Sequence, residues 1–102
     1  MMQKWILALA LMLGLGLSAS AQKVEILTFE QLQARLANQK QEVVVYNFWA
    51  TWCKPCVEEM PAFEKLANDY KAKGVAVVFV SMDFKSKHAK VVEFVAQKEL
   101  QN

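Results

Sequence analysis

An α/β layer fold built on a parallel sheet is predicted for this chain by three observations. Two short runs, Val43 to Trp49 and Val75 to Val80, are almost wholly apolar and rich in β-branched or aromatic residues. Continuous runs of that kind mark strands buried on both faces, as in parallel sheets. The segment between them, from about Cys53 to Lys73, repeats its apolar residues at helical spacing, and so do shorter segments before and after. Strand, helix, strand, helix, strand, helix implies right-handed crossovers. A length of 102 residues allows at most one domain.

The amino terminus stands apart from that pattern. Lys4 precedes an apolar run of 13 residues, Trp5 to Leu17, followed by Ser18-Ala19-Ser20-Ala21. A basic start, an apolar stretch and an Ala-x-Ala site are the layout of a secretory signal peptide. Residues 1–21 are therefore read as a signal peptide and residues 22–102 as the domain. The alternative is a membrane anchor, but a span needs about 20 apolar residues. No cysteine stands at the cleavage point, which argues against a lipoprotein anchor. The reading predicts no stable membrane insertion after cleavage and places the protein in the periplasm or cell envelope. Export leads to an oxidising compartment, where a cysteine pair forms a disulfide. The formal charge of +2 gives no reason to expect nucleic acid or an acidic membrane as partner.

In the domain, residues 24–27 read as a short first strand. Thr28 and Gln31 fit a capping box opening a helix over residues 29–40, with Phe29, Leu32 and Leu36 facing inward. After the strand ending at Trp49 comes the long helix, with Val57, Met60, Phe63, Leu66, Ala67 and Tyr70 inward and Pro61 expected to kink it. Gly74 is the natural stop. Ser86 is read as the cap of a last helix over residues 87–100, with Val91, Phe94 and Val95 inward.

The chemistry lies in Trp52-Cys53-Lys54-Pro55-Cys56, which holds both cysteines of the chain. A Cys-x-x-Cys pair between a strand and a helix is the arrangement of a redox catalyst. Cys53 falls at the start of the helix, where unpaired backbone N–H groups and the helix dipole favour a thiolate. It is read as the exposed, attacking thiol. Cys56, one turn on and pointing inward, resolves the mixed disulfide. Pro55 has the fixed φ that suits a first helical turn. Lys54 adds positive charge or is simply solvated. Trp52 either presents a flat apolar surface to a partner or only packs; Trp49 belongs to the core. Two other readings of the pair stay open. A structural disulfide closing so short a loop restrains the unfolded chain little. A zinc site needs four ligands, and the remaining imidazole, His88, reads as exposed surface.

Asn47 to Pro61 resembles the active-site segment of the thioredoxin superfamily, and most of all the exported TlpA/ResA-like thiol-disulfide oxidoreductases. The shared pattern is Trp-Cys-x-Pro-Cys-x-x-Glu-x-Pro, met by Trp52, Cys53, Pro55, Cys56, Glu59 and Pro61. The likeness runs from about Phe29 to the end, and Val75 to Asp83 resembles the strand after the active-site helix. Asn47 stands where cytosolic thioredoxins carry a buried aspartate. The resemblance implies that Glu59, as a half-buried carboxylate, tunes the proton affinity of the dithiol; Glu58 reads as solvated. It further implies protein disulfides as substrates, reduction as the usual direction, and an upstream electron donor such as a membrane reductase. No organic cofactor or metal is called for, because the electrons travel in the dithiol.

The resemblance also implies parts with no counterpart in this sequence. The thioredoxin-like fold continues with an antiparallel strand pair, a cis-proline facing the dithiol, and a closing helix. Both prolines of this chain, Pro55 and Pro61, are already placed. The expectation is thus an incomplete thioredoxin-like domain, truncated at its carboxyl end. About 81 residues remain after signal removal, near the size at which one core is marginal. An aggregation-prone piece with weak activity, or one whose Cys53–Cys56 bridge is static, is the corresponding alternative.

Overall fold

The computed structural model describes residues 23–101. The expected signal peptide, residues 1–21, lies outside the described residues. The elements run α1 (Phe29–Ala37), β1 (Val43–Trp49), α2 (Lys54–Tyr70), β2 (Val75–Ser81) and α3 (His88–Gln97). Single 3₁₀ turns, Lys71–Lys73 and Lys85–Lys87, close α2 and lead into α3.

β1 and β2 pair in parallel, with Val43 opposite Val75 and Trp49 opposite Ser81. They form a β–α–β unit in which α2 is the crossover. Alternation along the strands puts Val45, Asn47 and Trp49 on one face with Val77, Phe79 and Ser81. That face carries the core. Trp49 is buried together with Met60 of α2, Val91 of α3 and Leu100. The Trp49 and Phe94 rings lie 5.0 Å apart, and Phe63 meets Phe79 edge-on at 6.5 Å. The opposite face is less covered, with Phe48 and Val78 exposed. Burial on both faces, expected from the apolar runs, is thus not reached among the described residues: even the core face buries Trp49 and Val77 but leaves Val43 exposed.

Local signals explain most boundaries. Thr28 and Gln31 make the capping box in full: the Gln31 N–H donates to Thr28 Oγ1, and the Thr28 N–H donates to Gln31 Oε1. Gly74 ends the α2 turn at φ 79°, a left-handed conformation that favours glycine. α2 runs through Pro61, with Met60 and Ala67 buried and Val57, Phe63 and Leu66 half-buried. Among the described residues no helix is long and apolar enough to cross a membrane.

Several expectations are corrected. Residues 24–27 form no strand. Val24 instead packs on the core, and its carbonyl oxygen lies 3.3 Å from His88 Nε2. His88 is therefore half-buried and not plain surface. The apolar stripe of α1 does not face a core: Phe29 is 68% exposed, Leu36 is exposed, and only Leu32 is half-buried. Helical spacing records that a face is apolar, not that a partner covers it. Tyr70, expected inward, is exposed, with Lys73 Nζ 5.3 Å from its ring centre. Ser86 lies inside the 3₁₀ turn, and Lys87 takes the position before α3.

Candidate active site

The site lies where β1 and β2 end. The parallel register brings the residues after Trp49 alongside those after Ser81, and the Met82 N–H donates to the Trp49 carbonyl at 2.7 Å. Crevices at the carboxyl ends of parallel strands are where α/β sheets bind ligands. From β1 the chain turns at once: the Cys53 N–H donates to the Ala50 carbonyl at 3.0 Å, and the Val57 N–H donates to the Cys53 carbonyl at 3.1 Å. Cys53 is thereby the residue that opens α2, with extended backbone (φ −94°, ψ 95°) and no side-chain cap of its own. Pro55 occupies the first helical turn, where its missing N–H goes unneeded.

Cys53 and Cys56 form a disulfide, with their Cα atoms 5.3 Å apart. Both are half-buried, and Cys56 packs against the core cluster around Trp49 and Met60. The two sulfurs therefore differ: one begins the helix, and the other rests on the interior. Trp52, beside Cys53, is 73% exposed, and Met82 and Phe84 on the facing loop are also exposed. Lys54 pairs loosely with Glu58 across 4.0 Å of open surface, a contact worth little. Glu58 is exposed to solvent. Glu59 is exposed on α2, which departs from the half-buried carboxylate expected of it. Asn47 lies mid-strand, opposite Phe79. Among the described residues no group of three or more His, Cys, Asp or Glu is placed to hold a metal ion.

Beside the dithiol turn stands a group that motif reading missed. Asp83 accepts hydrogen bonds from the Thr51 N–H (3.0 Å), the Thr51 hydroxyl (2.6 Å) and the Ser81 hydroxyl (2.6 Å). Its own N–H donates to Ser81 Oγ at 3.1 Å. Burial alone pushes the Asp83 carboxyl up. Hydrogen bonds from Ser81 and Thr51, with the charge of Lys90, outweigh that and hold it below its ordinary value. The sequence signal was faint: Ser-x-Asp at the carboxyl end of a parallel strand.

The model of the AhpC/TSA family matches residues 17–100. The chain belongs to the AhpC/TSA family. Its described elements are part of a thioredoxin-like fold: a parallel strand pair, its crossover helix and flanking helices. The chain is 46% identical over 54 residues to "Thiol-disulfide oxidoreductase ResA" of Oceanobacillus iheyensis, covering 53% of this chain and 28% of that one. It is 48% identical over 60 residues to "Thioredoxin-like protein YneN" of Bacillus subtilis, covering 59% and 35%. A ResA of Bacillus cereus is 37% identical over 75 residues, covering 74% and 42%. The chain thus spans less than half the length of these curated relatives. No solved structure matches it.

Proposed function

We propose that this chain carries the working dithiol of an exported thiol-disulfide oxidoreductase, with residues 1–21 as its signal peptide and the periplasm or cell envelope as its location. The observation that carries the reading is the asymmetric Cys53–Cys56 pair: a disulfide at the start of α2, one sulfur at the helix terminus and the other against the core. Relatives whose names state the same activity support it.

In the reducing direction, the Cys53 thiolate attacks one sulfur of a substrate disulfide. A mixed disulfide forms, and the other substrate sulfur leaves as a thiolate that takes up a proton. Cys56, deprotonated, then attacks the Cys53 sulfur. The substrate leaves with both sulfurs reduced, and Cys53–Cys56 is left oxidised, as in this structure. An upstream electron donor returns it to the reduced state. Helix-terminal N–H groups favour the Cys53 thiolate over that of Cys56. Pro55 keeps the first turn helical, and the exposed Trp52 offers an apolar surface to the substrate chain. Glu59 is retained as a tuning residue on resemblance alone; an unchanged Cys53 titration in a Glu59→Gln variant removes it.

Replacing the cysteines one at a time tests the reading. Cys56→Ser should accumulate mixed disulfides with envelope proteins through Cys53, released by dithiothreitol. Cys53→Ser should accumulate almost none. If neither variant captures any protein, the bridge is static and the catalytic reading fails.

A further inference from the structure

We propose that Asp83 is a positioning residue for the dithiol: its carboxylate fixes the Ala50–Cys53 turn and so holds Cys53 at the start of α2. The proposal rests on the dithiol reading above and adds a residue from the other strand of the sheet.

The turn has few internal restraints. Its backbone is closed by one hydrogen bond, from the Cys53 N–H to the Ala50 carbonyl. Of the residues between, Trp52 is exposed. Thr51 is the remaining handle, and both of its donors go to Asp83, 32 residues away in sequence. Asp83 is itself oriented by Ser81, through one bond to its carboxylate and one from its N–H. Ser81 stands opposite Trp49 in the register, so the brace starts from the strand pair itself. Three donors converge on the two oxygens of one side chain. An ionised carboxylate, which only accepts, matches them; an amide has one oxygen and would turn N–H groups toward donors. Charge-assisted bonds of this kind are about twice as strong as neutral ones. The contact acts through Thr51, not on sulfur. A turn that loosens lets Cys53 drift from the helix terminus that stabilises its thiolate.

The test is made in the full chain carrying Cys56→Ser, which leaves Cys53 as its one thiol. The rate of Cys53 alkylation by iodoacetamide is followed against pH. Asp83→Ala should move the midpoint to higher pH and slow alkylation at neutral pH about two- to fivefold, the worth of a helix-terminal charge interaction. Thr51→Val, which keeps the carboxylate but removes one donor, should move it the same way by less. Thr51→Ser, which keeps the hydroxyl, should overlay the parent. The proposal is overturned if Asp83→Ala and Thr51→Val overlay the parent with unchanged circular dichroism. It is equally overturned if Asp83→Ala moves the midpoint to lower pH, since the carboxylate then acts on the sulfur by its charge. Should Asp83→Ala not fold, the Thr51 pair decides. The dithiol reading fails separately, if the chain with both cysteines does not equilibrate with glutathione.

Discussion

Two threonines in this chain stand just ahead of a helix, and they are held in different ways. Thr28 bonds to Gln31, three residues on, and the helix it opens buries none of its residues. Thr51 bonds to Asp83 from the neighbouring strand, and the helix after it buries Met60 and Ala67. The first region is made by local preference: a capping box, an Asn38 that returns its amide to the Ala34 carbonyl, and a surface pair between Arg35 and Glu25. The second is made by strand register, which places two loops side by side before any side chain is chosen. A site that must keep two sulfurs in fixed positions needs the second kind of support. A sulfur held to a fraction of an ångström requires neighbours that are themselves fixed.

The contrast is broken most severely at Trp49, which is buried against Phe94 and next to the turn. Trp49→Ala should lower stability by about 3–5 kcal/mol, most of what a small domain has. Urea unfolding should show the midpoint collapse together with dithiol reactivity. A midpoint within experimental error of the parent would mean that the core lies elsewhere.

Acid reaches the same end of the molecule more gently. The Asp83 carboxyl is held below its ordinary value of 3.8, so the folded state binds its proton less readily than the unfolded chain does. The stabilisation it brings is complete above the unfolded value and is lost as pH falls through the lower, folded one. Stability measured from neutral pH downward should therefore drop below about pH 4. In Asp83→Asn that share of the drop should be missing. An identical acid limb in the two proteins would show that the bonds to Thr51 and Ser81 contribute nothing net.

The smallest effect belongs to the local region. Thr28→Ala removes a capping bond typically worth about 1 kcal/mol to its helix. Hydrogen exchange should quicken in α1, while the alkylation profile of Cys53 stays as it was. A shift in that profile would show the two regions to be coupled and the contrast to be false.

Much of this was legible in the residues. Thr28 with Gln31, Gly74, the two apolar runs and Trp-Cys-x-Pro-Cys each encode their structure within a few positions, because caps, left-handed stops, strand propensity and helix starts are short-range physics. The Cys53–Cys56 pairing and the place of Pro55 were equally local. What lay beyond reach was relational. Val24 to Leu27 have the composition of a strand, but a strand exists only through a partner's hydrogen bonds, and Val24 meets His88 and the core instead. Phe29 and Leu36 obey helical spacing yet remain on the surface. Glu59, which a motif would set half-buried, stands exposed. Asp83, which no motif marks, holds the turn.

The amino-acid order alone determined the capped start of α1, the stop at Gly74, that two sulfurs would meet, and that they would meet at a helix start, since each depends on atoms a turn or so apart along the chain. Only the tertiary structure decided which apolar faces are covered and which carboxylate braces the dithiol. Those outcomes depend on the parallel register of Val43–Trp49 with Val75–Ser81, which sets side by side residues that the sequence keeps about thirty positions apart.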